Sequence, residues 1–354
     1  MIKIVVSLLM SFSFMYAIDA TLEVIKTLKN LPSVEIEDSS GTPSEISSKI
    51  IKMLEADLKV AGHFKVEIGV KSNYDSDLEY ISYSKRNVDL VIKIKSYKER
   101  DSVVADTKIY DINQNRAVYT KSYTVSKEER YPFLSHKIAI DINDYIKAPS
   151  IAWMNKFVIF SKYTASNESE ILISDYTLTF QQVVAKNGLN IFPKWASESQ
   201  EEFYFTKYLK KPTLFKQNIF TGERTMITDS EGMLVCSDVS EDGRYLLLTM
   251  APDDQADIYK YDTLTKKLTQ ITKYRGIDVS GQFSENGDVI FVSDRLGNPN
   301  IFMVRNGSEG VERVVYHGKN NNSCSVYKDY VVYTSREANS EFDSNTFNLY
   351  LVST

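Results

Sequence analysis

The side chains able to hold a metal or carry out nucleophilic chemistry are few and scattered. Histidine occurs at His63, His136 and His317, and cysteine at Cys236 and Cys324. A zinc site needs three or four such ligands converging. No histidine here stands three or four residues from another, or beside a cysteine, so a structural role is preferred for all three. His63 follows Gly62 at an expected helix end, where partial positive charge suits the helix dipole. A serine peptidase would need a G-x-S-x-G nucleophile elbow, and Gly307-Ser308-Glu309-Gly310 lacks that spacing. There is no Gly-rich phosphate loop and no EF-hand pattern. The acidic pair Asp253-Asp254 falls in a turn and reads as solvated. The sequence therefore predicts no catalytic residue, no metal and no cofactor.

What the chain carries instead is a repeated phrase. Trp195-Ala196-Ser197-Glu198-Ser199, Asp238-Val239-Ser240-Glu241-Asp242-Gly243, Gln282-Phe283-Ser284-Glu285-Asn286-Gly287 and the degenerate Ser325-Val326-Tyr327-Lys328-Asp329 recur at steps of 43, 44 and 43 residues. Trp153 lies 44 residues before Ser197. A period of about 40–45 residues built from short strands is that of a β-propeller blade. From Ile151 onward each repeat reads as strand A, a turn, then B, C and D. In the third, B is Tyr245–Thr249, C is Ile258–Asp262 and D is Leu268–Thr272. Asp242-Gly243 and Asn286-Gly287 read as type I′ hairpin turns joining A to B. Asp294-Arg295, echoed at Arg336, reads as a tie from one blade to the next. Cys236 and Cys324 fall at different repeat offsets in blades that are not neighbours, so both read as small buried hydrophobes rather than as a disulfide.

Residues 21–148 are different in character. Ser44 is a helix N-cap, an apolar stripe runs through Ile46, Ile50, Met53, Leu54 and Leu58, and Gly62 ends the helix. Leu31–Ile36, Phe64–Ile68, Val88–Ile94, Val103–Asp111 and Ala117–Val125 read as strands, and Glu128–Ile146 as a second helix. Helices on one face of a mixed sheet make a small α/β domain over residues 31–148. Ala148-Pro149-Ser150 is the linker to a propeller over 149–354. Those residues hold about 4.7 repeats, so the ring is expected to be incomplete, with its last blade short of a D strand.

Met1-Ile2-Lys3 followed by the apolar run Ile4–Tyr16 reads as a secretory signal over residues 1–17, with cleavage after Ala17 or Ala20. The run is too short to span a bilayer, which takes about 20 residues. Residues 18–30 would then be a free N-terminal segment. The composition is that of an ordinary soluble chain: of 354 residues, 43% are hydrophobic and 25% charged, with a net charge of -5. That balance argues against nucleic acid as a partner.

Signal, free segment, α/β domain and propeller in this order resemble the TolB family of the Tol–Pal system. The most specific match is Asp57-Leu58-Lys59-Val60-Ala61-Gly62-His63-Phe64, which is similar to the family's helix-to-strand D-L-x-x-[SA]-G-x-F. Ser240-Glu241-Asp242-Gly243-Arg244, Val88–Ile92, Tyr110-Asp111 and Ser135-His136 fall in the family's order. The resemblance implies six blades, so this chain departs from it in stopping within the fifth. It implies a non-enzymatic periplasmic adaptor with two partners, the lipoprotein Pal and the inner-membrane protein TolA, supporting outer-membrane integrity and constriction at division. Other outer-membrane lipoproteins are further candidate partners. A periplasmic propeller enzyme or a glycan-binding propeller is the alternative.

Two sites follow as expectations. Thr21, Leu22, Glu23, Val24, Ile25 and Lys26 alternate apolar and polar side chains, which suits strand addition to a sheet edge on TolA. The polar, Gly-containing connections from each D strand to the next A strand would form a rim for Pal. Its residues are Ser230, Glu231, Gly232, Arg275, Gly276, Asp278, Gly318, Lys319 and Asn320.

Overall fold

A computed structural model describes residues 31–41, 44–336 and 347–354. The expected signal and the segment Thr21–Lys26 lie outside the described residues.

The N-terminal domain is a five-stranded sheet. Its strands are β1 (Ser33–Asp38), β2 (Lys65–Ile68), β3 (Leu90–Glu99), β4 (Ser102–Asp111) and β5 (Arg116–Val125), in spatial order β2-β1-β3-β4-β5. β1 runs parallel to both β2 and β3, and β3, β4 and β5 form an antiparallel meander. Helix α1 (Glu45–Ala61) starts at a capping box. Ser44 Oγ accepts from the Ser47 N–H at 3.1 Å, and Ser47 Oγ accepts from the Ser44 N–H at 3.3 Å. It stops at Gly62, whose φ of 66° is the left-handed conformation that suits glycine. Ile50, Leu54 and Leu58 on its buried stripe pack with Ile36, Ile92 and Ile109 of the sheet.

The other sheet face carries Glu35, Glu37 and Lys93, all buried under residues 70–88. The short helix α2 (Tyr80–Lys85) within that cover has no buried residue, so no apolar stripe announces it in the sequence. The cover is pinned by polar contacts. Arg86 pairs with Glu35 at 2.5 Å, Tyr83 donates to Glu37, and the Lys93 amine donates to the Asn73 and Ser76 carbonyls. Burial pulls the Lys93 pKa down.

Two expectations near the linker are corrected. The second helix begins as a 3-10 turn at Glu128–Arg130, and the α-helix proper, α3, is Tyr131–Tyr145. Pro132 explains the change: it lacks an N–H and suits a first turn. Trp153 is not in the A strand expected from Ile151 onward. It sits in a 3-10 turn, Ala152–Asn155, because Ile151 and Met154 are drawn into the core under α3.

The propeller shows five blades among the described residues. The first has β6 (Val158–Ala165), β7 (Glu168–Ser174) and β8 (Gln181–Ala185). The second has β9 (Asn190–Trp195), β10 (Glu202–Tyr208), β11 (Pro212–Asn218) and β12 (Arg224–Asp229). The third has β13 (Leu234–Val239), β14 (Tyr245–Met250), β15 (Asp257–Asp262) and β16 (Leu268–Gln270). The fourth has β17 (Asp278–Phe283), β18 (Val289–Ser293), β19 (Asn300–Val304) and β20 (Val311–Arg313). The fifth has β21 (Lys319–Tyr327), β22 (Tyr330–Arg336) and β23 (Phe347–Ser353). Within the described residues, then, the first blade has B, C and D strands and the fifth has A, B and C. The incomplete count of about 4.7 repeats agrees with this architecture. Apolar slabs lie between neighbouring blades, as where Leu247 and Ile258 of the third meet Val289 and Phe291 of the fourth.

The A–B turns are not type I′, which would need two residues at positive φ. Only Gly243 (φ 71°) and Gly287 (φ 78°) adopt it, while Asp242 and Asn286 do not. The loop is longer than two residues: the Ser240 N–H reaches the Tyr245 carbonyl at 2.8 Å, and Ser240 Oγ accepts from the Tyr245 N–H. Arg295 is also corrected. It binds Asp278 of its own blade and ties a B–C turn to an A strand. The ties between blades run elsewhere. Asp238 of the third blade accepts from Lys194 of the second at 2.8 Å and from the Phe283 N–H of the fourth at 2.8 Å.

Helix α3 seats the N-terminal domain on the first blade. Phe133 packs edge-on against Phe157 and Phe180, with ring centroids 5.2 and 5.4 Å away. His136 is fully buried between Asp57 of α1 and Asp175 of the turn after β7.

Candidate functional site

Strands in a blade alternate in direction, so the D–A and B–C connections emerge on one face of the ring and the A–B and C–D turns on the other. The C–D turn Asp175–Phe180 meets α3. The D–A and B–C connections therefore form the face turned away from the N-terminal domain, and the predicted rim lies there.

That rim is held by interlocking polar contacts. Lys211, in a B–C turn, bridges Asp229 at 2.6 Å and Glu231 at 3.1 Å. The Ile277 N–H donates to Asp294 Oδ1 at 2.9 Å. Asp278 accepts from Arg295 through both oxygens, at 3.0 and 2.9 Å, while the guanidinium lies over Phe302, Tyr274 and Phe291 at 4.9–5.3 Å. Burial raises the Asp257 carboxyl above its ordinary pKa, and the Asp278 carboxylate adds to the rise.

The predicted residues divide by accessibility. Glu231, Arg275 and Lys319 are exposed, and Asn320 is half-buried. Ser230 and Asp278 are corrected as contact residues: both are buried, and Asp278, at 0% exposure, is spent on Arg295. The glycines recur for steric reasons. A Cβ on Gly232 would lie 2.2 Å from the Ala251 carbonyl oxygen, and one on Gly276 2.2 Å from Asp294 Oδ1. Gly318 takes φ 75° close against Ser335 Oγ. The three glycines let the D–A connections press against B–C residues.

The exposed apolar side chains of this face are absent from the predicted set. They include Leu209, Met233 (41% exposed), Ile277 (51%), Leu296 (57%) and Tyr316 (65%). Met233 and Ile277 stand 44 residues apart, one blade period, so a large apolar residue placed just ahead of the inner strand in an otherwise polar connection was the available signal. Clustered exposed apolar groups mark interaction surfaces.

Among the described residues no three His, Cys, Asp or Glu side chains converge as a metal site, and no helix is long and apolar enough to cross a membrane. His63 Nδ1 lies 2.7 Å from Asn143 Oδ1, and His317 packs against Tyr350. Cys236 and Cys324 are free and buried, and burial pushes each thiol up to about 12.

Residues 20–118 match the model of the TolB amino-terminal domain, and residues 151–351 that of the TolB beta propeller domain. The chain is 55% identical to the Tol-Pal system protein TolB of Wolinella succinogenes, covering 99% of this chain and 85% of that protein. It is 48% identical to the Tol-Pal system protein TolB of Helicobacter hepaticus, covering 96% and 81%. The crystal structure of TolB from Acinetobacter baumannii superposes with a TM-score of 0.73 over 92% of this chain and 80% of that one at 18% identity, a likeness of fold. The chain belongs to the TolB family of Tol–Pal system proteins.

Proposed function

We propose that this chain is a non-enzymatic periplasmic adaptor with two partner sites. The face of D–A and B–C connections takes the lipoprotein Pal, and the segment Thr21–Lys26 takes TolA by strand addition. Through them the protein links the inner-membrane Tol proteins to the outer membrane, maintaining its integrity and drawing it inward at division. The observation that carries the Pal assignment is the set Met233, Ile277, Leu296 and Tyr316, exposed on the face that the N-terminal domain leaves free. Glu231, Arg275 and Lys319 supply a polar surround, and apolar anchors within such a surround are where binding energy concentrates.

The test is Met233→Glu with Ile277→Glu, both at exposed positions. Pal affinity should fall by about 30-fold or more, the scale of losing one interface hot spot, with the melting curve unchanged. Unaltered affinity in the folded variant removes this face from the assignment. Deleting Thr21–Lys26 should abolish TolA binding and leave Pal binding measurable, and full TolA binding by the deletion would sink the second site.

A further inference from the structure

His136, Asp57 and Asp175 are each fully buried, and they come from both domains. His136 Nδ1 lies 2.8 Å from Asp57 Oδ2, and Nε2 lies 3.4 Å from Asp175 Oδ2, an ion-pair distance rather than a tight hydrogen bond. Each carboxylate has further donors. Tyr176 donates its hydroxyl to Asp57 Oδ1 at 2.6 Å. Asp175 accepts from the Thr177 N–H at 2.8 Å and the Phe180 N–H at 2.6 Å, and from the Thr177 hydroxyl. The ring is enclosed by Tyr176, 4.9 Å away, and Phe133, 5.9 Å away. The other charged or titratable groups at the joint are Arg130, whose guanidinium lies over Phe133, Phe157 and Phe180, and Tyr131, which senses the Asp175 charge. The 3-10 turn Ala152–Asn155 brings none.

A neutral imidazole has one N–H. With both ring nitrogens facing carboxylates, the neutral ring must turn a lone pair towards one of them in a dry seam. The imidazolium donates to Asp57 and turns its second N–H, which has no tight hydrogen-bond partner, towards Asp175. We propose that His136 is a proton-operated latch between the two domains. Protonated, it is the cation that Asp57 of the N-terminal domain and Asp175 of the propeller share. When the proton leaves to solvent, the neutral ring keeps one N–H and turns a lone pair towards the other carboxylate, no cation stands between the two acids, and the joint loosens.

The direction of the switch follows from the surroundings. Burial works against the charged ring, but the Asp175 and Asp57 carboxylates outweigh it, and the His136 pKa is raised. Asp175 is held down to about 2 despite its burial by the His136 ring beside it and by the Thr177 and Phe180 hydrogen bonds. A raised histidine contributes stability that is complete below its ordinary pKa of about 6.5 and lost as pH climbs through the folded value. The latch is therefore closed below the ordinary histidine pKa and opens as pH rises through the folded value.

The experiment uses the full chain. Ring-nitrogen NMR of the three histidines, assigned with His63→Gln and His317→Gln, reads protonation directly. A spin-label pair at Lys52→Cys on α1 and Lys266→Cys on the propeller reads the distance between the domains, since the native thiols are buried. Both nitrogens of His136 should be mostly protonated at about pH 6.5, where an ordinary imidazole is half neutral. The open fraction should then rise by up to about tenfold per pH unit above the folded pKa, the slope of one proton. In His136→Gln the distance should no longer respond to pH. A ring that loses its proton at or below the ordinary histidine pKa of about 6.5, or a wild-type distance unchanged as the proton leaves, overturns the latch. So does an unaltered pH response in His136→Gln. The wild-type measurements decide the question even where that variant fails to fold.

Discussion

Replacing Asp278 by Ala should destabilise the propeller by about 3 kcal/mol, the low end of what breaking a buried ion pair costs. Asp278 is 0% exposed and binds Arg295 through both oxygens, and the Arg295 side chain is 18% exposed. Without the carboxylate, the guanidinium keeps Ser293 Oγ at 2.9 Å and three aromatic faces. These offset part of the lost attraction, as does the relief of Asp257, which the Asp278 charge disfavours. That places the cost at the low end of the range rather than the high end. Arg295→Met should cost more, because it leaves a fully buried carboxylate without its cation. The double variant should cost less than the sum of the two, since neither charge is then stranded. Urea unfolding followed by Trp195 fluorescence reads the propeller transition. An Asp278→Ala midpoint corresponding to less than about 1 kcal/mol, the usual worth of an exposed pair, would refute the claim that this pair is buried and structural. The result also bears on binding. Asp278 is next to Ile277, so under the proposed Pal assignment a loss of affinity in Asp278→Ala would report on the shape of the rim and not on a contact made by the carboxylate.

Gly276→Ala should cost about 1–3 kcal/mol by overpacking, because its Cβ would meet Asp294 Oδ1 at 2.2 Å and disturb the Ile277 N–H bond; a thermal melt checks it, and an unchanged midpoint contradicts the close approach. Cys236 and Cys324, with thiols pushed up to about 12 by burial, should not react with a disulfide reagent at pH 8 until denaturant is added, when two equivalents should titrate. Ser44→Ala should lower stability by about 1 kcal/mol through loss of the α1 cap, seen as a shift of the N-terminal domain's melt. In acid, Asp175 runs opposite to His136: its pKa is depressed, so its contribution holds above the ordinary carboxylate value of about 3.9 and fades as pH falls through about 2. An acid titration of the spin-label distance should find the joint intact at pH 4.

The fold was legible wherever local rules and burial agree. Ser44 and Gly62 bracket α1 because a cap and a left-handed stop act within a few residues of themselves. The blade period was legible because each blade repeats the same burial. It failed where a tertiary surface took residues away from the pattern. Trp153 keeps the period, yet Ile151 and Met154 find a better apolar neighbour under α3 than in a blade. The A–B turns misled for another reason. A dipeptide ending in Gly signals positive φ at the Gly, but the serine three residues earlier supplies an oxygen that closes a longer loop.

The polar partnerships were the least legible, and Asp175 shows why. It stands 43 residues before Asn218, which stands 44 before Asp262. All three begin a C–D turn and accept backbone N–H groups two to five residues on. By period alone, Asp175 is one more turn cap with its bonding accounted for. Asp262 adds an arginine of its own blade, Arg244 at 2.8 Å, and sequence proximity makes that pair easy to anticipate. Asp175 instead adds His136, on a helix of the other domain, whose second nitrogen is held by Asp57, 79 residues from it along the chain. Each residue has a sufficient local role, so nothing in the sequence asks for a further partner. What distinguishes Asp175 is only that the first blade is where α3 lands. A repeat therefore supplies the same side-chain oxygen acceptor in several blades, and the docking of a second domain decides which of them becomes part of a joint.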